Sequence, residues 1–205
     1  MTILYHGHAC FELRSSEGSA VFDPYAPGKV PGLVLPALRS DRVFCSHGHA
    51  DHAYAEGVAL TGEEPSYRVE TFPAFHDHEG GRKRGSNTVT AITAEGLRVV
   101  HCGDLGHPLP AELAGAIGPA DVLMVPVGGY YTIGAEEAAG VCEALQAKLI
   151  LPMHCRTSSA GYDVLSPVAD FLRLFPAEEV LTLEENALEV TLPERRQVVL
   201  FPSVR

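Results

Sequence analysis

At 205 residues the chain suits one domain, spanning 1–205, that is large enough to bury its own core. Hydrophobic residues make up 46% and charged residues 20%, which excludes a disordered or fibrous design. Fifteen basic against 26 acidic side chains leave a net charge of −11, which repels phosphate backbones and sets nucleic acid aside as a partner.

The chain opens on MTILYHGH, with neither a basic leader nor a long apolar run. No stretch reaches the roughly 18 apolar residues of a membrane span, so the expectation is a cytoplasmic protein without membrane contact. ACFELRS alternates around Phe11 and Leu13, SAVFDP ends a second run at Asp23 and Pro24, and SSEG joins the two as a hairpin. A proline-rich segment from Pro24 to Pro36 then crosses to RVFCSH, a short apolar strand. YRVETF is a further strand, and NTVTAITAEGLRVVHCGD reads as a hairpin turning at Glu95-Gly96.

The pattern then changes. PAELAGAI is helical, ADVLMVPV is a buried strand, and GAEEAAGVCEALQA places Ala138, Val141, Cys142 and Leu145 on one helical face. Thr132 is the expected cap of that helix. KLILPMH is a buried strand, SPVADFLRLF a helix with Pro167 near its first turn, and ALEVTLP with QVVLFP closes as strands. Strands followed by alternating helices and strands imply sheets with helices packed outside. Five cysteines, Cys10, Cys45, Cys102, Cys142 and Cys155, are odd in number and unclustered, which suits a reducing compartment with most of them as small buried hydrophobes; Cys155 stands apart because it follows His154.

The string HGHA occurs twice, at His6 to Ala9 and at His47 to Ala50. The second copy extends into His47, Gly48, His49, Ala50, Asp51 and His52, three imidazoles and a carboxylate at the end of an apolar strand. These donors suit zinc and other first-row metals. Unpaired imidazoles this close would repel on protonation unless something held them neutral, and a metal does so. The first copy lacks a following Asp-His. His6 and His8 lie two apart on an expected strand and so share a face, with His8 approaching the site from outside the ligand set. Downstream, His76, Asp104 and His154 each follow an apolar strand, and ligands gathered from several strand ends are how such sheets build a site. His78 and His101 lie close enough to His76 and Asp104 to compete for those roles.

With these residues in view, the chain resembles the metallo-β-lactamase-fold hydrolases, whose HxHxDH signature stands here as HGHADH. It is similar especially to the branch of lactonases acting on sugar phosphates and related zinc-dependent hydrolases, through YHGHACFEL, VFDPY, HCGDLG and LPMH. The resemblance covers nearly the whole chain. It implies an α/β fold, an αββα sandwich of two mixed sheets with the site along one edge. It also implies two divalent metal ions, zinc first with manganese or iron as alternatives. His47, His49 and His76 would hold one ion and Asp51, His52 and His154 the other, with Asp104 bridging and Asp23 supporting the ligand loop.

The chemistry expected is hydrolysis of a small, anionic ester, lactone or phosphodiester, with Asp51 orienting the attacking water. The rivals are a metal-binding sensor or scaffold without turnover, and a nuclease-type phosphodiesterase. For substrate contacts, Arg82, Lys83 and Arg84 form a basic loop that either binds an anion or is simply solvated. Asn87 either donates to the same group or ends a turn, and Tyr130 or Tyr131 would line the pocket. The partner is a small molecule, with a homo-oligomer admitted.

Overall fold

The computed structural model describes residues 1–204, and its strands fall into two large sheets and one small one. The first sheet holds β1 (Thr2–Gly7), β2 (Cys10–Ser15), β3 (Gly18–Phe22), β5 (Arg42–Phe44) and β13 (Ala187–Glu189), in the order β13-β1-β2-β3-β5. β4 (Leu38–Ser40) and β6 (Val58–Leu60) pair as the small sheet. The second large sheet runs β12-β14-β11-β10-β9-β8-β7, with β7 at Arg68–Phe75, β8 at Ser86–Ala94, β9 at Leu97–His101 and β10 at Val122–Pro126. It is completed by β11 (Leu149–Met153), β12 (Val180–Thr182) and β14 (Gln197–Leu200). Both sheets are mixed, with antiparallel hairpins β2-β3 and β8-β9 beside parallel pairs such as β3-β5 and β10-β11.

Side-chain alternation decides the layers. On β2 and β3, Phe11, Leu13, Ala20 and Phe22 point inward to meet Ile92, Val99, Met124, Leu149 and Leu151 from the second sheet. On β10 and β11, the residues between these, Leu123, Val125 and Ile150, face the other way. There they meet helices α1 (Ala111–Ile117), α2 (Ala135–Ala144) and α3 (Val168–Leu172) through Ile117, Val141, Cys142 and Phe171. A strand buried on both faces reads as an uninterrupted apolar run.

The expected sandwich is therefore present, with its three helices outside the seven-stranded sheet. The outer face of the five-stranded sheet is covered instead by Tyr25, Val30 and Leu33 from the proline-rich segment and by Leu38 and Val58 from the small sheet. Prolines prevent that segment from running as a helix.

Three local expectations are corrected. His6 and His8 do not share a face: the β1-β2 register shifts between Tyr5 and Gly7, and His8 takes φ +57°. His6 turns to Glu12 at 3.2 Å, while His8 leaves the strand altogether. Thr132 does not cap α2, because its hydroxyl donates to the Ile133 carbonyl. Gly134 holds the cap position, and Glu137 accepts from its N–H. Finally α3 spans only Val168–Leu172, with Pro167 preceding it as the cap. All five cysteines are free. No helix among the described residues is long and apolar enough to cross a membrane.

Candidate metal centre

One edge of the sandwich collects the chemistry. Asp23 follows β3, His47 to His52 follow β5, His76 follows β7, Asp104 follows β9, His154 follows β11, and His8 follows β1. The chain must leave each strand sharply to turn these side chains inward. His8, Asp23 and His154 accordingly adopt φ +57°, +44° and +51°, a region that costs a non-glycine residue on the order of 1 kcal/mol. Glycines allow the close approaches. A Cβ on Gly128 would meet the His154 carbonyl oxygen at 2.1 Å, and one on Gly106 would meet the His76 carbonyl carbon at 2.2 Å.

Two sets of donors face one carboxylate. His47, His49 and His76 form one group of converging ligand atoms, and His8, Asp51, His52 and His154 form another. Asp104 stands between them: its Oδ2 lies 3.1 Å from His76 Nε2 and 3.2 Å from His154 Nε2, and its Oδ1 lies 3.3 Å from His52 Nε2. Asp23 braces both sets from behind. Its carboxylate accepts from the Ser46 N–H at 2.7 Å and the Ser46 hydroxyl at 2.6 Å, and lies 2.8 Å from His52 Nδ1. Ser46 Oγ is in turn 3.0 Å from His47 Nδ1. With Nδ1 of both rings so engaged, Nε2 of both is left to face the centre.

The electrostatics fit a cation. Burial alone would raise the Asp104 carboxyl, but His154 and His52 outweigh it and hold the group well below the usual carboxylate range. Asp51 behaves alike, with burial opposed by His8 and His52. Burial pushes the His47 imidazole down to about 4. Burial, then His154, push His8 down to about 3. The Asp104 and Asp51 carboxyls and the His47 and His8 imidazoles are thus deprotonated at neutral pH, as metal binding requires. His52 differs: burial would lower it, yet Asp104 and Asp23 push it up to about 9, a proton that a metal ion would displace. His52 Nε2 and Asp104 Oδ1 are buried without a hydrogen-bond partner, and such atoms cost about 1–3 kcal/mol each when nothing faces them. The residues present therefore fit a metal centre.

A cleft of about 340 Å³ opens onto this centre, lined by His49, Asp51, His76, Asp104 and His154 together with Arg84, Tyr131 and Tyr162. Arg84 lies over the Tyr131 ring, 5.4 Å from its centroid. Its loop is tied down by Asp77, which accepts from the backbone N–H groups of Glu79, Gly81, Lys83 and Arg84. Arg82 and Lys83 turn instead to Glu79 on the surface.

Two expected substrate contacts are corrected. Asn87 is buried away from the cleft, its amide donating to the Cys102 carbonyl at 2.9 Å and accepting from the Asp104 N–H at 2.9 Å; it positions Asp104. Tyr130 is 64% exposed and packs against Tyr131 outside the cleft. Neither rival histidine is at the centre. His101 bonds the Ala9 carbonyl and the Gly103 N–H, and His78 pairs with Glu137 on the surface. Tyr162 escapes the sequence reading: it reaches Asp51 from a loop with no motif of its own. His8, expected beside the ligand set, sits among the candidate donors. Cys155 borders a separate, apolar cavity of about 430 Å³, where burial pushes its thiol up to about 12.

Against known proteins, residues 2–154 match the family described as the Beta-lactamase superfamily domain. A metal-dependent hydrolase of the UPF0173 group from Archaeoglobus fulgidus is 29% identical, over 77% of this chain and 84% of its own. One from Thermoplasma acidophilum is 26% identical, over 77% and 84%. A crystal structure from Thermotoga maritima, of a protein proposed to be a Zn-dependent hydrolase of the metallo-β-lactamase superfamily, is 34% identical. It superposes with a TM-score of 0.79 over 98% of this chain and 97% of that one. An isothiocyanate hydrolase from Delia radicum gut bacteria, at 13% identity and a TM-score of 0.63 over 85% and 91%, shares the fold alone.

Proposed function

We propose, from the premise that this chain belongs to the Beta-lactamase superfamily domain family and is a metal-dependent hydrolase, that its edge site holds two divalent ions and cleaves a small anionic ester, lactone or phosphodiester. The observation that carries this reading is the Asp104 carboxylate, one oxygen within 3.2 Å of both His76 and His154 and the other 3.3 Å from His52. His47, His49 and His76 would hold one ion, Asp51, His52 and His154 the other, and Asp104 both. The nitrogen and oxygen donors suit zinc, and the Thermotoga maritima relative is itself proposed to depend on zinc; manganese and iron are the alternatives.

Such ions, when bound, polarise the substrate oxygen and bring the pKa of a water towards about 7. The chain's own residues do the rest. Asp51, held ionised at the cleft wall, accepts a hydrogen bond from the attacking water and so sets its direction. Among the described residues Arg84 is the one guanidinium lining the cleft, and its planar fork suits a carboxylate or phosphate on the substrate. Tyr131 beneath it keeps that fork facing inward. A lone cation fits a small anion better than a polyanion, and a cleft of about 340 Å³ suits a small molecule. A sugar-phosphate lactone combines the two features required, a cyclic ester for the metals and a phosphate for Arg84.

The test is elemental analysis of protein purified without chelators, on wild type and Asp104→Ala, followed by turnover of esters, lactones and phosphodiesters. Two zinc or manganese ions per chain, lost in the variant, with turnover of one anionic class, is the expected result. Two ions without turnover of any class would favour a scaffold, and a single iron would point to oxidation chemistry.

A further inference from the structure

We propose that His8 is itself a metal ligand, completing the donor set of Asp51, His52 and His154. The inference rests on the two-metal reading above and adds an asymmetry to it.

The observation is an orphan. The His8 side chain is fully buried, and neither Nδ1 nor Nε2 has a hydrogen-bond partner. Buried polar groups are almost always paired, so a ring with both nitrogens unmatched calls for something facing it. What surrounds it is a donor set: Asp51 Oδ2 lies 3.5 Å from His8 Nε2, and the rings of His154 and His52 have centroids 4.2 and 5.0 Å away. One atom from each of the four residues falls within 4.8 Å of all the others. The backbone is arranged to hold it there. The register shift after Tyr5 ejects the residue from β1, φ +57° turns it inward, and the His8 carbonyl accepts from the His154 N–H at 2.9 Å. The two histidines are thereby clasped to each other, one from each sheet.

The consequence is a division of labour. With Asp104 shared, the set that includes His8 has five protein donors and the other has four, so the set without His8 is the one with more room for water or substrate. Both sets reach the cleft wall, one through His49 and His76 and the other through Asp51 and His154, while His8 and His52 are buried behind it. The ion held by His47, His49 and His76 is then the one that meets substrate. The ion beside His8 exchanges slowly and anchors Asp51.

The test uses protein labelled with nitrogen-15 in its histidines and loaded with cadmium-113. Scalar coupling between cadmium and His8 Nε2, alongside those of His52 and His154, is the expected result. Couplings at His52 and His154 with none at His8 would overturn the proposal. A second measurement is zinc titration of His8→Ala, which should still bind one ion as tightly as wild type while the second weakens at least tenfold. Unchanged affinity for both ions would again overturn it. If wild type binds fewer than two ions, the two-metal reading has failed, and the cadmium coupling at His8 still decides whether this histidine ligates.

Discussion

The Tyr162 hydroxyl donates to Asp51 Oδ2 across 3.1 Å, and its oxygen also lies 2.6 Å from the Lys29 carbonyl. One proton thus serves two acceptors, and the phenol fixes the carboxylate proposed to orient the attacking water. A hydrogen bond to a charged group is worth about 1.5–3 kcal/mol. Tyr162→Phe should retain its full metal content and lose about tenfold in kcat, with KM nearly unchanged. Metal analysis beside steady-state kinetics checks this, and a loss of metal equal to the loss of rate would contradict it.

Gly128 touches the backbone that carries His154. Adding a methyl group would place carbon 2.1 Å from the His154 carbonyl oxygen, so Gly128→Ala must displace β11 or the loop after it. The expected outcome is a lowered melting temperature together with reduced metal uptake. Gly140→Ala in α2 is the comparison. Nothing lies within 4 Å of the added atom there, and a helix interior gains about 0.5–1 kcal/mol from the change.

Arg84 and Arg82 share a loop but face different surroundings, the cleft and Glu79 respectively. Arg84→Gln should raise KM for an anionic substrate about tenfold and leave KM for its neutral analogue alone. Arg82→Gln should change neither. Equal effects of the two variants would mean that the loop acts through its general charge.

The acid response of that loop follows from Asp77. Burial would raise its carboxyl, but the backbone N–H groups of Arg84, Glu79, Lys83 and Gly81 hold it down at about 2, below the ordinary 3.8. A carboxylate depressed in the folded state stabilises above its unfolded pKa and ceases to do so as pH falls through the folded one. Amide exchange at Gly81, Lys83 and Arg84 should therefore be slow at pH 5 and accelerate between pH 4 and about 2 beyond the intrinsic trend. In Asp77→Asn it should be fast throughout.

Much of the centre is legible in the sequence because HGHADH is contiguous: one short loop brings its own donors together, whatever the rest of the fold does. His76, Asp104 and His154 are legible for a related reason, each standing at the end of an apolar run that can only be a strand. What is less legible depends on longer paths. His8 is expected near the site but outside the ligand set, and the bulge that sets it among the candidate donors leaves no mark on the alternation of side chains. Tyr162 meets Asp51 across a separation of 111 residues, with nothing local to announce it. Asn87 misleads because an amide beside a basic loop and an amide tying Asp104 down have the same neighbours in sequence. The short strands β4, β6 and β12 have three residues each, too few to establish a period.

The candidate donors come from both walls of the sandwich. His8 and the loop from His47 to His52 leave the five-stranded sheet, while His76, Asp104 and His154 leave the seven-stranded one. Cations seated among them would act as rivets along a single seam, pinning two plates that are elsewhere held by apolar contact and by a few polar ties such as those of Ser16 and the N-terminus to Glu95. Chelation would then unfasten that seam and spare the opposite rim, so the protein would gape like a book whose clasp has been undone while its spine stays sewn.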